Sequence, residues 1–307
     1  MAPRDQIVPD GDFSSYYGRP ILKAPTWKSP DIPLYFFLGG MAGASAVLAE
    51  GAAMTGRPGL ERVARLAAAG GASVGTVALV HDLGRPERFL KMLRVVKPTS
   101  PLSVGSFILA PFSTLSGIAA ASQVTGWFPR IGRLAGLGAA AFGPPLATYT
   151  AGLIANTAIP AWHEAHRELP FVFGGSGAAA AGGVGMLCAP YAETGPALRL
   201  AVAGAVVETA AAEMMSKRLG MLAEPYHEGR SGKLMKLQRG LTGAGLVLSG
   251  LGLKSGPARR LAGAALVAGS LVTRFGIFEA GKASAKDPKY TVVPQRERLE
   301  KREPALA

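Results

Sequence analysis

PLYFFLGGMAGASAVLAEGAAMT, residues 33–55, carries a single charged side chain, Glu50, in a run long enough to decide what surrounds the chain. A hydrocarbon core about 30 Å thick is crossed by about 20 helical residues, so an apolar stretch of this length reads as a membrane span. Seven more follow, at 62–81, 103–124, 133–157, 169–189, 197–216, 237–253 and 258–278. The expected fold is an all-α integral membrane protein with eight transmembrane helices. Its expected parts are an N-terminal extramembrane segment 1–32, a transmembrane domain 33–278 and a C-terminal extramembrane tail 279–307, in a multi-pass protein of the cell's inner (plasma) membrane.

Hydrophobic residues make up 49% of the chain and charged residues 17%, yet the formal net charge is +13. In a soluble protein that surplus would point to nucleic acid. Here the cations flank apolar spans, where anionic headgroups or an acidic partner subunit are the natural counterparts, and no nucleic-acid partner is expected. The polar start, MAPRDQIVPDGDFSSYYGRP (1–20), has no apolar core of a cleavable signal. The single cysteine, Cys188, permits no internal disulfide and no iron–sulfur cluster, and reads as a small packing residue.

An even number of spans puts both termini on one face, here the tail face, together with the long loops 82–102, 158–168 and 217–236. The opposite face has only short turns, so a partner would dock on the tail face. The Lys and Arg excess there assigns it to the cytoplasm by the positive-inside rule, although the same excess suits an acidic partner. RPERFLKMLRVV (85–96) sets Phe89, Leu90, Leu93 and Val96 against Arg85, Arg88, Lys91 and Arg94, which predicts a short interfacial helix. Spans five and six, with GGSGAAAAGGVG (174–185) and AVAGAVVETAAAE (201–213), are rich in small residues and read as bundle interior. Pro111, Pro144 and Pro145 predict kinks.

Chain direction gathers His81, Asp82, Ser103, Tyr149, Asn156 and His163 near the tail face, with Tyr35 at the start of span one. A quinone head needs hydrogen-bond donors for two carbonyls, a proton source and an apolar slot for its tail. Tyr35, Ser103, Tyr149, Asn156 and His163 are the candidate ligands, and His81 with Asp82 the candidate proton-exchange pair. Polar groups also collect at any membrane interface, and Asp82 equally fits a salt bridge to Arg85 that orders the loop. Within the spans, a carboxylate costs on the order of 3 kcal/mol unless paired or hydrated. Glu208 is the deepest of these and a third candidate for proton exchange; Glu50 and Glu213 lie nearer the faces, Glu213 toward Arg274. All four histidines lie at the tail face or in its loops, which argues against haem.

Several segments together have a familiar form. HDLGRPERFLKMLRVVKPTSPLSVGSFIL (81–109), YTAGLIANTAIPAWHEAHRELPF (149–171), FEAGKASAKDPKYT (278–291) and YYGRPILKAPTWKSPDIPLYFFLGGMAGAS (16–45) resemble the NrfD family, the membrane subunits of polysulfide reductase-like complexes. The resemblance implies two four-helix bundles and no haem or iron–sulfur cluster in this chain. It implies menaquinone or ubiquinone as substrate near the first and fourth helices, for which Tyr35, Tyr149 and Asn156 are the matching positions. It also implies a ferredoxin-like 4[4Fe-4S] iron–sulfur subunit on that face, leading to a catalytic, often molybdopterin, subunit. Span one has no histidine of the kind that binds quinone in some relatives.

The expected function is a quinone-reactive membrane anchor of a multisubunit oxidoreductase. A proton-translocating or transporter-type module is the alternative raised by the proline-broken spans and intramembrane carboxylates. A structural anchor without quinone chemistry is the third.

Overall fold

In the computed structural model, residues 21–23, 25–85 and 87–302 are described; the signal reading of residues 1–20, the YYGRP part of the resemblance and Pro86 of the interfacial stretch lie outside them. Among the described residues the chain is helical throughout, with eight helices of at least 20 residues. They are α1 (Asp31–Met54), α2 (Pro58–Leu83), α3 (Pro101–Thr125), α4 (Pro129–Ala155), α5 (Leu169–Cys188), α6 (Gly195–Leu219), α7 (Gly229–Leu251) and α8 (Gly256–Lys286). A shorter α9 (Lys289–Arg302) follows. Five of the eight, α1, α2, α3, α5 and α8, are long and apolar enough to cross a membrane.

Local chemistry sets the ends. Proline occupies the first turn of α2, α3, α4, α6 and α8, where its missing N–H would have no partner anyway. Gly84 and Gly126 close α2 and α3 with φ of 68° and 74°, the left-handed conformation glycine adopts without steric cost. α7 starts at Gly229 rather than near Leu237, and α8 runs to Lys286 rather than Phe278. Hydropathy marks only the apolar part of each, while the charged turns beyond it, such as Lys233 and Lys236, are equally good helix formers.

Helices α1 to α4 pack on one another as one four-helix group and α5 to α8 as a second, with α5 lying against α1, α2 and α4 at the seam. Gly43 of α1 faces Gly143 of α4 so closely that a Cβ on either would run into the other's backbone. A Cβ on Gly177 of α5 would likewise run into the Gly40 carbonyl, which carries α1 across to the second group. The small residues of α5 are thus interior, as its composition predicts. α6 is different: Ala203, Val206, Val207 and Met214 are exposed along one side, so it is a peripheral helix. Small residues permit close approach without requiring it. Cys188, too, is exposed, at the last residue of α5, rather than packed.

α3 and α4 continue through Pro111 and Pro144–Pro145, and the Thr114 and Thr148 hydroxyls, one turn on, bond back to the carbonyls of Ala110 and Pro144, both at 2.9 Å. The interfacial helix is shorter than its apolar periodicity predicts, spanning Glu87–Met92. Lys97 precedes a proline, which disfavours helix. The Ser103 hydroxyl also takes the Lys97 N–H at 3.0 Å and donates to the Val95 carbonyl at 3.3 Å, leaving Val95 and Val96 exposed.

The connection from α4 to α5 joins the two groups. Its Pro160–His163 turn buries Trp162 completely, with the indole N–H donating to the Ile277 carbonyl of α8 at 2.8 Å. The ring stacks on Trp27 at 5.7 Å and leans on Phe278 at 5.9 Å; Gly281 leaves the space it fills.

Candidate functional site

The polar residues of the tail face divide into three neighbourhoods. At the start of α1 and end of α2, His81 Nδ1 lies 2.7 Å from Asp31 Oδ2, with the imidazole largely in the open. Asp82 accepts the Lys28 backbone N–H at 2.7 Å. His81 and Asp82 therefore take different partners, as consecutive residues on a helix must, since they point about 100° apart. Among the described residues Asp82 forms no ion pair with Arg85 either. That bond pins the segment before α1. Tyr35, one turn into α1, is buried against Gly75 of α2, and its hydroxyl has no hydrogen-bond partner.

On the α3 side, the Tyr149 ring lies directly on Gly105, and Ser106 bonds to the Ser103 carbonyl at 2.8 Å. Ser103 is engaged in holding the 95–97 loop, as described above. At the end of α4, Asn156 is the exposed capping residue. His163 follows in the connection, its Nδ1 3.0 Å from the Ala155 carbonyl, a contact that needs the proton on Nδ1 and leaves Nε2 free.

Beside Asn156 a groove of about 360 Å³ opens between two strips of chain. Thr157, Ala158 and Ile159 form one wall; Leu22, Lys23, Pro25, Thr26 and Trp27 form the other. The second wall is the segment that Asp82 pins through Lys28, and Trp27 is braced behind by Trp162 and edge-on by Phe36 at 6.5 Å. Sequence reasoning missed Trp27 and Trp162. The signal was their place in two of the familiar segments, one on each side of the groove.

Glu208 belongs elsewhere, in the interior of the second helix group. Its Oε1 accepts from the Thr273 hydroxyl at 2.5 Å and from Gln238 Nε2 at 3.5 Å, and Gln238 also reaches Thr242 at 3.1 Å. Nearby, Ser176 and Ser270 join α5 to α8 at 2.8 Å. Arg274 turns inward as well, fully buried, rather than toward Glu213. It donates to the Phe173 carbonyl at 2.7 Å and lies 3.8 Å from the centre of the Phe173 ring, while Glu213 sits outside and pairs with Arg239 at 3.5 Å. A cation over an aromatic face and a bonded carboxylate are what make such depth tolerable.

The first group has its own buried charge cluster. Arg65 of α2 reaches Glu50 of α1 at 2.9 Å, Glu61 at 3.0 Å and Gln123 of α3 at 2.8 Å. Glu50 is thus held inside rather than extended toward the headgroups.

The tail-face platform is clamped by ion pairs outside the apolar stretches. Arg218 grips Glu168 with two bonds of 2.6 and 2.5 Å; Lys289 meets Glu224 at 2.6 Å, and Arg298 of α9 pairs with Glu164. The Arg218 hydrogen bonds hold the Glu168 carboxyl below the usual carboxylate range. A lowered folded-state value means that this stabilisation is complete above the ordinary carboxylate pKa and vanishes as pH falls through the lowered one. The thermal stability of the wild type over Glu168→Gln is therefore expected at neutral pH and to shrink below about pH 4, as melts in detergent at several pH values will show.

A bundle of long apolar helices with donors gathered at one rim defines a multi-pass membrane protein with a site at the membrane edge. The family model for polysulphide reductase, NrfD, matches residues 25–222, more than half of the chain, and the chain belongs to the NrfD family. Members are in general quinone-interacting anchors of oxidoreductase complexes. The match takes in α1 to α6 and both walls of the groove apart from Leu22 and Lys23; the resemblance at 278–291 lies beyond it. No curated protein matches the chain.

Proposed function

We propose that the chain is the quinone-reactive anchor of a multisubunit oxidoreductase, with α1 to α8 spanning the membrane as two four-helix bundles within residues 33–278. It exchanges electrons between a ferredoxin-like iron–sulfur subunit docked on the tail face and membrane menaquinone or ubiquinone, and a catalytic subunit lies beyond. The observation that carries this reading is the groove walled by Trp27 and Ile159 beside Asn156 and His163, at the tail-face end of α4. Its apolar walls suit a prenyl-bearing ring, and the unpartnered Tyr35 hydroxyl is a donor awaiting an acceptor within the same end of the bundle.

In this reading Asn156 donates to one quinone oxygen and the free Nε2 of His163 accepts from the hydroxyl of the reduced quinol, with Tyr149 behind them. Bound quinone supplies the two-electron, two-proton couple. His81 with Asp31, at the water's edge, and Asp82 beside the groove wall hold and exchange the protons; Ser103 positions the loop over α3. Glu208, in the other bundle, exchanges protons at depth. The buried Glu50–Arg65 and Glu208 clusters favour the second reading, a proton-translocating module, and proton uptake by proteoliposomes without quinone or partner would support that instead.

The test is a quinone analogue titrated into the purified full chain while tryptophan fluorescence is followed. Saturable quenching that disappears in Trp27→Phe is expected. No saturable binding would leave a structural anchor.

A further inference from the structure

On the face opposite the proposed site, α6 packs mainly on α5 and α7 mainly on α8, which leaves the outer seam between α6 and α7 open. A groove of about 460 Å³ runs along it, walled by Leu198 and Val202 of α6, Leu246 of α7 and Leu253 in the turn that follows α7. The Ser249 hydroxyl in its lining is engaged with the Gly245 carbonyl at 2.7 Å. The one charged group in the lining is Arg199, exposed at the mouth one turn into α6. Among the described residues it makes no ion pair and no side-chain hydrogen bond.

Among the described residues no carboxylate of that face pairs with it. Glu50 and Glu61 are held by Arg65, and Glu193 accepts the Leu60 N–H at 2.9 Å. Arg62, Arg130, Arg133, Lys254 and Arg260 share the face, likewise without an ion pair among the described residues. Exposed Trp127 and Phe128 and the half-buried hydroxyl end of Tyr191 lie at the same level, where aromatic residues mark the membrane–water boundary. The surroundings of Arg199 are thus an apolar groove below, an interfacial belt beside it and an excess of uncompensated cations.

We propose that the α6/α7 groove seats an acyl chain of an anionic phospholipid whose phosphate is held by Arg199. The inference rests on the membrane-spanning reading, which supplies the lipid. Acyl carbons cover Leu198, Val202, Leu246 and Leu253, and the phosphate supplies the negative charge that the protein withholds from this face. A guanidinium presents donors matched to phosphate oxygens, which makes the seat selective for phosphate-centred anions over a mere counterion. A zwitterionic lipid brings its own cation to the same place and meets the surplus positive charge less well.

The test uses the full chain purified in a non-ionic detergent and offered an equimolar mixture of phosphatidylglycerol and phosphatidylcholine, with retained lipid read by native mass spectrometry. The wild type is expected to keep phosphatidylglycerol preferentially, and Arg199→Gln to lower that preference about fivefold, the factor for one interfacial cation. Ala203→Trp fills the groove from an exposed position; it is expected to lose bound lipid of both kinds with unchanged helical circular dichroism. A phosphatidylglycerol preference in Arg199→Gln as strong as in the wild type, or undiminished lipid in Ala203→Trp, would overturn the seat. A chain that stays dispersed without detergent would overturn the spanning reading, and the seat with it.

Discussion

Asp82→Asn is expected to lower quinone-linked electron transfer in the assembled complex about a hundredfold, the low end of what a positioned proton carrier contributes, without impairing assembly. The substitution is informative because of what it preserves. The introduced amide keeps a side-chain oxygen that can accept from the Lys28 N–H, which lies 2.7 Å from Asp82 Oδ1 in the wild type, so the segment walling the groove stays in place. Only the ability to ionise is lost. Asp82→Ala removes both, and is expected to release the 25–28 segment as well, which limited proteolysis reads directly. Unimpaired turnover in Asp82→Asn with loss in Asp82→Ala would make Asp82 a positioning residue for the groove wall and remove it from proton exchange.

The second large effect is structural. Arg65→Met is expected to cost about 3–5 kcal/mol, the range for stranding a buried charge, seen as a large fall in the thermal midpoint of the purified chain followed by helical circular dichroism. Arg65 is the cation for both Glu50 and Glu61 and holds Gln123 of α3, so its loss leaves carboxylates of α1 and α2 facing an apolar interior. Glu50→Gln is expected to cost less, because Arg65 retains Glu61 and the new amide still accepts a hydrogen bond. A midpoint for Arg65→Met equal to wild type would show that the cluster is hydrated and contributes little.

How much of this was legible in the sequence follows from the range of the interactions involved. A span announces itself within 20 residues, so each of the eight long helices overlaps a stretch singled out in the sequence, and five of them are apolar enough to cross a membrane. The limits of α7 and α8 were not legible, because charged helix beyond the apolar core has no hydropathy signature. Residues 85–96 had the periodicity of a longer helix, but a hydroxyl at Ser103 and the Lys97–Pro98 junction outweighed it. Side-chain partners were the least legible part. His81 and Asp82 are neighbours in sequence and point to Asp31 and Lys28 in space. Arg274 was placed near Glu213 by depth alone, and helix rotation turned it to Phe173. The groove escaped notice because its walls, Leu22, Lys23 and 25–27 on one side and 157–159 on the other, meet beside the Trp27–Trp162 stack, a contact between residues far apart in the chain.

The central claim, that this NrfD-family chain passes electrons between an iron–sulfur partner and quinone at its tail face, is tested most directly by gentle purification of the tagged full chain from native membranes. Mass spectrometry of the copurifying proteins is combined with iron and quinone analysis of the same sample. The account predicts a ferredoxin-like iron–sulfur protein, iron in amounts that fit its clusters, and bound menaquinone or ubiquinone. A lone chain free of iron and quinone would contradict it.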